Sequence, residues 1–273
     1  MKVTSTKRAS SEQPIVNKYQ LYDELIDGIP SDLFVKKVVT GIHWTAVESE
    51  GIGLAMSPPE GNRSLSIAGA IAGKPVREIA LLSKSWYPLE AAIGVAALNS
   101  WYNAPSVIEK SWGSITKQIS STSVFSEVGP FIKGKKVTVV GHFPDLDQLR
   151  ELCQLSILEK KPQAGDLPDP ACEYILPFQD FVFMTGVTLI NKTLPRLLEL
   201  SRNASITLVG PSVPLTPLFT KYHVSLLAGT VVTDPKKVMT HIAEGGDRSI
   251  FRFGASTLRL KCGSNKKKGG ILL

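Results

Sequence analysis

Five short apolar runs constrain this chain more than anything else in it. They are VTVVG (Val137–Gly141), LSILE (Leu155–Glu159), FVFMTG (Phe181–Gly186), SITLVG (Ser205–Gly210) and VSLLAG (Val224–Gly229). Each has the length of a strand and is nearly apolar throughout, so both of its faces must be covered. Between them lie helix patterns such as TLPRLLELSR and DPKKVMTHIAE. Pro195 and Pro235 fall in the first turns of these helices, and Thr193 and either Thr233 or Asp234 are the candidate caps. Strands of this kind alternating with helices predict an α/β fold, an open, mainly parallel, Rossmann-like sheet with helices on both faces.

The first half follows a different grammar. A helix is expected around IVNKYQLYDELIDGI, then antiparallel strands near FVKKVVTGIHWTAVES and GIGLAMS, a loop at SPPEGNRS, and helices at PVREIALLSK and PLEAAIGVAALNSWYN. The segment VFSEVGPFIKGKK, with two glycines and a proline, reads as a link and puts the boundary near residues 124–134. The chain thus divides into a smaller α+β domain over residues 1–130 and a Rossmann-like domain over 131–273.

Composition excludes several function classes. With 43% hydrophobic and 20% charged residues a packed core is expected, and no apolar run approaches a membrane span. The polar start MKVTSTKRASSEQP carries no apolar signal core, which predicts a cytoplasmic protein. The net charge of +7 is partly gathered in the SNKKKGG tail, and no basic helix face is interleaved with aromatics, so nucleic acid is not an expected partner. The three cysteines, Cys153, Cys172 and Cys262, form no CxxC pair; Cys153 is expected as a buried thiol.

Four of the five runs end in glycine: Gly141, Gly186, Gly210 and Gly229. In open α/β sheets ligands bind at the carboxyl ends of the strands, where glycine permits sharp turns and close approach. Turns collect glycine in any case, so the repetition points to a crevice without naming its occupant. Small polar residues stand beside the glycines: Thr185, Thr188, Asn191, Ser212, Thr230 and Thr233. They suit a polar ligand and suit helix capping equally.

The turn after the first run, GHFPDL, is the natural place for a dinucleotide fingerprint. Only Gly141 fits. Phe143 and Leu146 stand where two further glycines are needed, and Asp145 and Asp147 would repel a phosphate. A nicotinamide dinucleotide (NAD) is therefore not expected. Glu159, 18 residues after Gly141, is where an acid binds ribose hydroxyls, which keeps a nucleoside-bearing methyl donor in view. Of His43, His142, His223 and His241, only His142 lies in a strand-end loop; with Glu159, Asp145 or Asp166 it can offer mixed N/O ligation to a metal. No Walker loop, G-x-S-x-G elbow or Ser/His/Asp set is present, so no catalytic residues are assigned.

Taken together, VVGHFP, ILEKKPQAGDLPDPACEYILPFQDFVFMTGVTLINKTLPRLLEL, LVGPSVPLTPLF, and LLAGTVVTDPKKVM followed by EGG resemble a family named for heavy-metal chelation, a domain without an assigned function. In that family a small domain similar to the enolase N-terminal domain comes first; GIHWTAVES, GIGLAMS and SWYPLEAAIGVAALNSWYN resemble it. The resemblance implies a joint cleft handling metals or metal chelators, with a transition metal ion as candidate cofactor. Carried onto this chain, the cleft residues are Gly141, His142, Phe143, Pro144, Glu159, Thr185, Gly186, Thr188, Asn191, Gly210, Pro211, Ser212, Asn99 and Trp44, with His142 as candidate metal ligand. Enolase chemistry is not implied, because its metal-binding acids sit on a barrel absent here.

Three readings follow. The first is a protein that binds a metal or metal chelate. The second is an enzyme acting on a small organic ligand, with a nucleoside-containing methyl donor. The third is a non-catalytic binding or assembly module, in which the WYPLEAAIGVAALNSWY run serves either as core or as a homodimer face.

Overall fold

The computed structural model describes residues 18–61, 63–115, 119–120, 123–144 and 146–263; the N-terminal lead-in, the lysine tail and Asp145 lie outside them. The first unit contains α1 (Gln20–Asp27), β1 (Lys37–Thr40), β2 (Trp44–Glu48), β3 (Ile52–Met56), α2 (Val76–Ala80) with a 3-10 turn after it, α3 (Pro88–Tyr102) and α4 (Pro105–Trp112). The three strands form an antiparallel meander, with Val38 opposite Val47 and Ala46 opposite Leu54.

Helix α3 is the centre of this unit. Residues Ala91–Ser100 are buried on every side, which its run of alanine, glycine and serine makes possible. A Cβ on Gly53 of β3 would lie 2.0 Å from the Ser100 nitrogen, so strand and helix backbones meet almost directly. The stretch from Ala91 to Ser100 is therefore core, while Trp86 and Tyr87 at the start of the run are exposed.

The remaining elements are β4 (Ile119–Ser120), α5 (Val124–Ile132), β5 (Lys136–Val140), α6 (Asp147–Arg150), β6 (Gln154–Glu159), β7 (Leu167–Pro168), α7 (Cys172–Ile175), β8 (Phe181–Thr185), α8 (Val187–Ile190), α9 (Leu194–Leu200), β9 (Ser205–Val209), β10 (Val224–Val232), α10 (Pro235–Ala243) and β11 (Ala255–Lys261). Eight strands join in the order β4-β11-β10-β9-β8-β5-β6-β7. The run from β10 to β7 is parallel throughout, while β11 lies antiparallel to β10 and β4 antiparallel to β11. All five apolar runs are strands of this sheet.

Both faces are buried, by alternation. On β8, Phe181 and Phe183 pack with α5 residues Val124, Phe125, Val128 and Ile132, while Val182 and Met184 face the larger core. The chain lays down β5, β6 and β7 outward, then returns to place β8, β9 and β10 on the other side. The order of strands reverses between β5 and β8, and such a reversal opens a crevice at their carboxyl ends.

Three local expectations need correction and one pair of alternatives is resolved. VFSEVGPFI is helix α5 rather than a link: Val124, Val128 and Ile132 recur at helical spacing and are buried, and the Ser123 side chain accepts from the Phe125 N–H. Thr193 does not cap α9; its N–H and hydroxyl both donate to Asn191 Oδ1, at 3.1 and 2.7 Å. Asp234, not Thr233, caps α10 by accepting from the Lys237 N–H at 3.1 Å. Cys153 is only half-buried, its thiol donating to the Leu149 carbonyl at 3.2 Å; the buried cysteine is Cys262.

The two units share one apolar core. The largest cluster runs from Leu21, Ile79 and Leu98 in the first unit to Leu189, Leu208 and Leu227 in the second. Polar bonds reinforce the joint: Tyr22 donates to the Leu189 carbonyl at 2.8 Å, Trp112 to the Leu215 carbonyl at 3.1 Å, and Glu24 accepts from Tyr222 at 2.9 Å and pairs with Lys221. No helix among the described residues is long and apolar enough to cross a membrane.

Candidate functional site

At the end of β5 the backbone of Gly141 takes φ 99°, a left-handed conformation that suits glycine. A Cβ there would also come within 2.8 Å of the Thr185 methyl, at the end of β8. Gly141 and Thr185 thus meet across the point where the strand order reverses. Beyond Gly141 the loop is anchored by its apolar residues. Phe143 packs its ring edge-on against Phe125, with centroids 5.2 Å apart, and Leu146 is buried beside α5. Of the two side chains that stand in place of fingerprint glycines, Leu146 is buried in the core and Phe143 is partly buried against it. Helix α6 is a single turn, and Asp147 faces Arg150 at 3.6 Å.

Between these anchors His142 stays partly exposed. Its Nδ1 lies 3.3 Å from Asp166 Oδ2, which also accepts from the Gln163 N–H at 3.0 Å. The Asp166 side chain is only 1% exposed. Its other oxygen, Oδ1, is buried and has no hydrogen-bond partner among the described residues. A buried carboxylate behind one ring nitrogen fixes the imidazole's orientation and leaves Nε2 for a ligand. Of the three acids that were candidates to accompany His142, Asp166 does so, delivered by the loop between β6 and β7. Glu159 turns back on its own loop, with Oε1 accepting from the Lys160 and Lys161 N–H groups at 2.7 and 3.4 Å. Asp145 lies outside the described residues.

A strap from the first unit crosses above. Met56, at its start, donates its N–H to Ser212 Oγ at 2.9 Å, just past the end of β9. Glu60, four residues on, pairs with Lys161, just past the end of β6. The sheet order there is β9-β8-β5-β6, so the two contacts flank the carboxyl ends of β8 and β5. Three strand spacings of about 4.8 Å match the reach of four extended residues. Gly141 and Thr185 stand at the ends of the two strands between those anchor points, and Pro144 is exposed.

Other candidates serve as joints. Asn99 donates to the Leu54 and Pro211 carbonyls at 2.7 and 3.2 Å, tying α3 to the loop after β9, where Gly210 takes φ 106°. A Cβ on Gly186 would lie 2.7 Å from the Ser212 carbonyl carbon, so Gly186 is needed for close packing. Thr188 donates to the Thr185 carbonyl at 2.6 Å, and Asn191 orders the start of α9. Trp44 stands apart from His142, its Nε1–H donating to the Asp247 carbonyl at 2.8 Å.

Two residues near the site gave no signal of periodicity or motif. Asn103 holds three buried backbone groups, described below. Lys192 adopts φ 66°, and its amine donates to the Ile190 carbonyl at 2.7 Å while lying 5.9 Å from the exposed Trp86 ring. Burial pulls the Lys192 ammonium down to about 8 from an ordinary 10.5. The unfolded chain then holds that proton more tightly, so its burden on the fold is full below pH 8 and fades as pH climbs toward 10.5. Lys192→Met is expected to raise the melting temperature at pH 7, and the gain to shrink steadily between pH 8 and 10; thermal denaturation across that range checks it.

The donor set limits what a metal can find here. Among the described residues no three His, Cys, Asp or Glu side chains converge on one point. His142 and Asp166 alone do not complete the coordination that a transition ion requires.

Two family models match the chain, over residues 22–102 and 125–259, and both carry the description "Putative heavy-metal chelation". A solved structure of a protein with unknown function from Desulfitobacterium hafniense is 40% identical and superposes with a TM-score of 0.81, covering 89% of this chain and 98% of that one. Another, from Pyrococcus horikoshii, is 21% identical with a TM-score of 0.73 over 89% of this chain and 99% of that one, a likeness of fold. An uncharacterized protein of Methanocaldococcus jannaschii is 29% identical over 231 residues, 78% of this chain and 83% of that protein.

Proposed function

This chain belongs to the family described by heavy-metal chelation, and from that premise we propose that it binds a metal already held by an organic chelator, in the cleft under the strap. The observation that carries this reading is His142, set against the buried Asp166, with no group of three His, Cys, Asp or Glu donors among the described residues. A bare ion would keep most of its water at such a place. A chelated ion brings its own donors and needs from the protein one imidazole in an open coordination position and a surface shaped to the chelator. The strap and the strand ends supply that surface, and the pairing of Asp166 with Nδ1 leaves Nε2 as the ligating atom.

The test compares Ni2+ and Zn2+ as free ions and as their citrate complexes, by calorimetry and by metal content after gel filtration. The citrate complexes are expected to bind saturably and the free ions much more weakly. His142→Ala should abolish binding of the complexes, and Asp166→Asn should weaken it by about 10- to 100-fold, the usual cost of removing a carboxylate behind a ligating histidine. Equal binding of free ions and complexes, or indifference to His142→Ala, would overturn the reading. The alternative, an enzyme using a nucleoside-bearing methyl donor, requires Glu159 to turn from its loop N–H groups toward a ribose; the absence of heat on titrating S-adenosylmethionine would remove it.

A further inference from the structure

Ser57, Pro58 and Pro59 of the strap segment line an open groove of about 520 Å3, a size typical of small-molecule sites. One wall is the β1–β2 turn with Thr40, Ile42 and His43; the strap gives Pro58, helix α3 gives Leu89, and Arg248 arrives from the large-sheet unit. No carboxylate lines it. Among the described residues no acid comes within ion-pairing distance of the Arg248 guanidinium. A groove that combines a guanidinium, an imidazole and a hydroxyl with proline and aliphatic walls is complementary to a small anion carrying an apolar body.

The loop that presents Arg248 is built for the purpose. The Asp247 carbonyl accepts from Trp44 Nε1, at 2.8 Å, and faces His241 Nε2 at 3.2 Å. His241 is itself stacked on Phe253, with centroids 4.2 Å apart, and its carbonyl accepts from the Gly246 N–H at 2.8 Å. The Asp247 carboxylate accepts from the Ser249 N–H at 2.9 Å. The facing wall is equally fixed: Gly41 donates to the Trp44 carbonyl and Ser57 to the His43 carbonyl, at 2.8 and 2.9 Å. Both walls are thus preset, one from each unit, and little order has to be bought when a ligand arrives.

We propose that this groove is a second binding site, for a small organic anion with a carboxylate or phosphate head and an apolar body, with Arg248 and His43 reading the charge. Trp44 lines the groove as well and, through its bond to the Asp247 carbonyl, also holds the Arg248 loop in place. The site is independent of His142 and of any metal.

Phenyl phosphate and benzoate are the probes, with benzyl alcohol as the neutral counterpart, titrated by calorimetry or ligand-observed NMR. The two anions are expected to bind saturably at least tenfold tighter than the alcohol. Arg248→Met should erase that difference while the melting temperature holds, and Arg248→Lys should restore part of it. Trp44→Phe, which keeps an aromatic wall but removes the N–H that holds the Asp247 carbonyl, should weaken the anions more than the alcohol, a pattern that general loosening of the fold would not give. His142→Ala should leave anion binding intact, so that failure here is distinct from failure of the metal-chelate reading. Equal affinity for anion and alcohol, or anion binding within twofold of wild type in Arg248→Met, would overturn the proposal.

Discussion

Replacing Asn103 by leucine is expected to cost about 3–5 kcal/mol of stability, the largest effect of any surface-neutral change in the joint. Asn103 is 1% exposed at the end of α3. Its amide donates to the Val213 and Thr230 carbonyls at 3.0 and 3.1 Å, and its Oδ1 accepts from the Leu215 N–H at 2.8 Å. Leucine has nearly the same volume and adds apolar surface, yet it strands three buried backbone groups. Each such group costs about 1–3 kcal/mol when left unpaired, far more than the extra methyls return. Chemical denaturation of the two proteins measures the difference. A loss below about 1 kcal/mol would mean that water or a shifted loop serves those groups and that the clamp is not what holds α3 to the second unit.

Gly53→Ala is the second large effect, with an expected loss of about 3 kcal/mol, at the upper end of what overpacking costs. The added methyl would sit 2.0 Å from the Ser100 nitrogen and 2.1 Å from the Ala96 carbonyl oxygen. Both are backbone atoms in the interior of a helix, so no rotamer change relieves the contact. Either β3 or α3 must move, and α3 is wedged on its other side, where a Cβ on Gly94 would lie 1.9 Å from the Ser83 nitrogen. Gly61→Ala serves as the contrast, because its nearest neighbour is the Pro88 side chain at 3.2 Å in a solvent-facing loop. Its φ of 73° adds only the modest penalty of a left-handed residue. Thermal melts of the pair should separate the two kinds of glycine widely.

The large sheet was legible because its strands are buried on both faces, and burial on both faces writes an unbroken apolar run. β11 escapes notice for the converse reason: Arg259 and Lys261 interrupt ASTLRLK, and the pairing of Arg259 with the exposed Glu127 of α5 is a long-range fact with no local trace. α5 was mistaken for a link because Gly129 and Pro130 are strong local breakers, while the helical spacing of Val124, Val128 and Ile132 is set by the sheet beneath. His142 could be singled out from its place after a strand. Its partner could not, since Asp166, Asp145 and Glu159 were equivalent until the loop between β6 and β7 brought one of them in. Asn99 and Ser212 were read as ligand groups because polar residues at strand ends serve ligands and joints alike; only the carbonyl and N–H partners across the units tell the two uses apart.

The common core of the two units has a consequence for how a ligand gets in. Proteins that close around a cargo by swinging one lobe on the other keep few apolar contacts between the lobes. Here Leu98 and Leu189 belong to a single cluster, and swinging the lobes would expose it to water. If the proposed site beside His142 holds a cargo, it does so without a swing of the two units, and choice among cargoes falls to size and shape rather than to closure. Solution scattering should return the same radius of gyration with and without cargo.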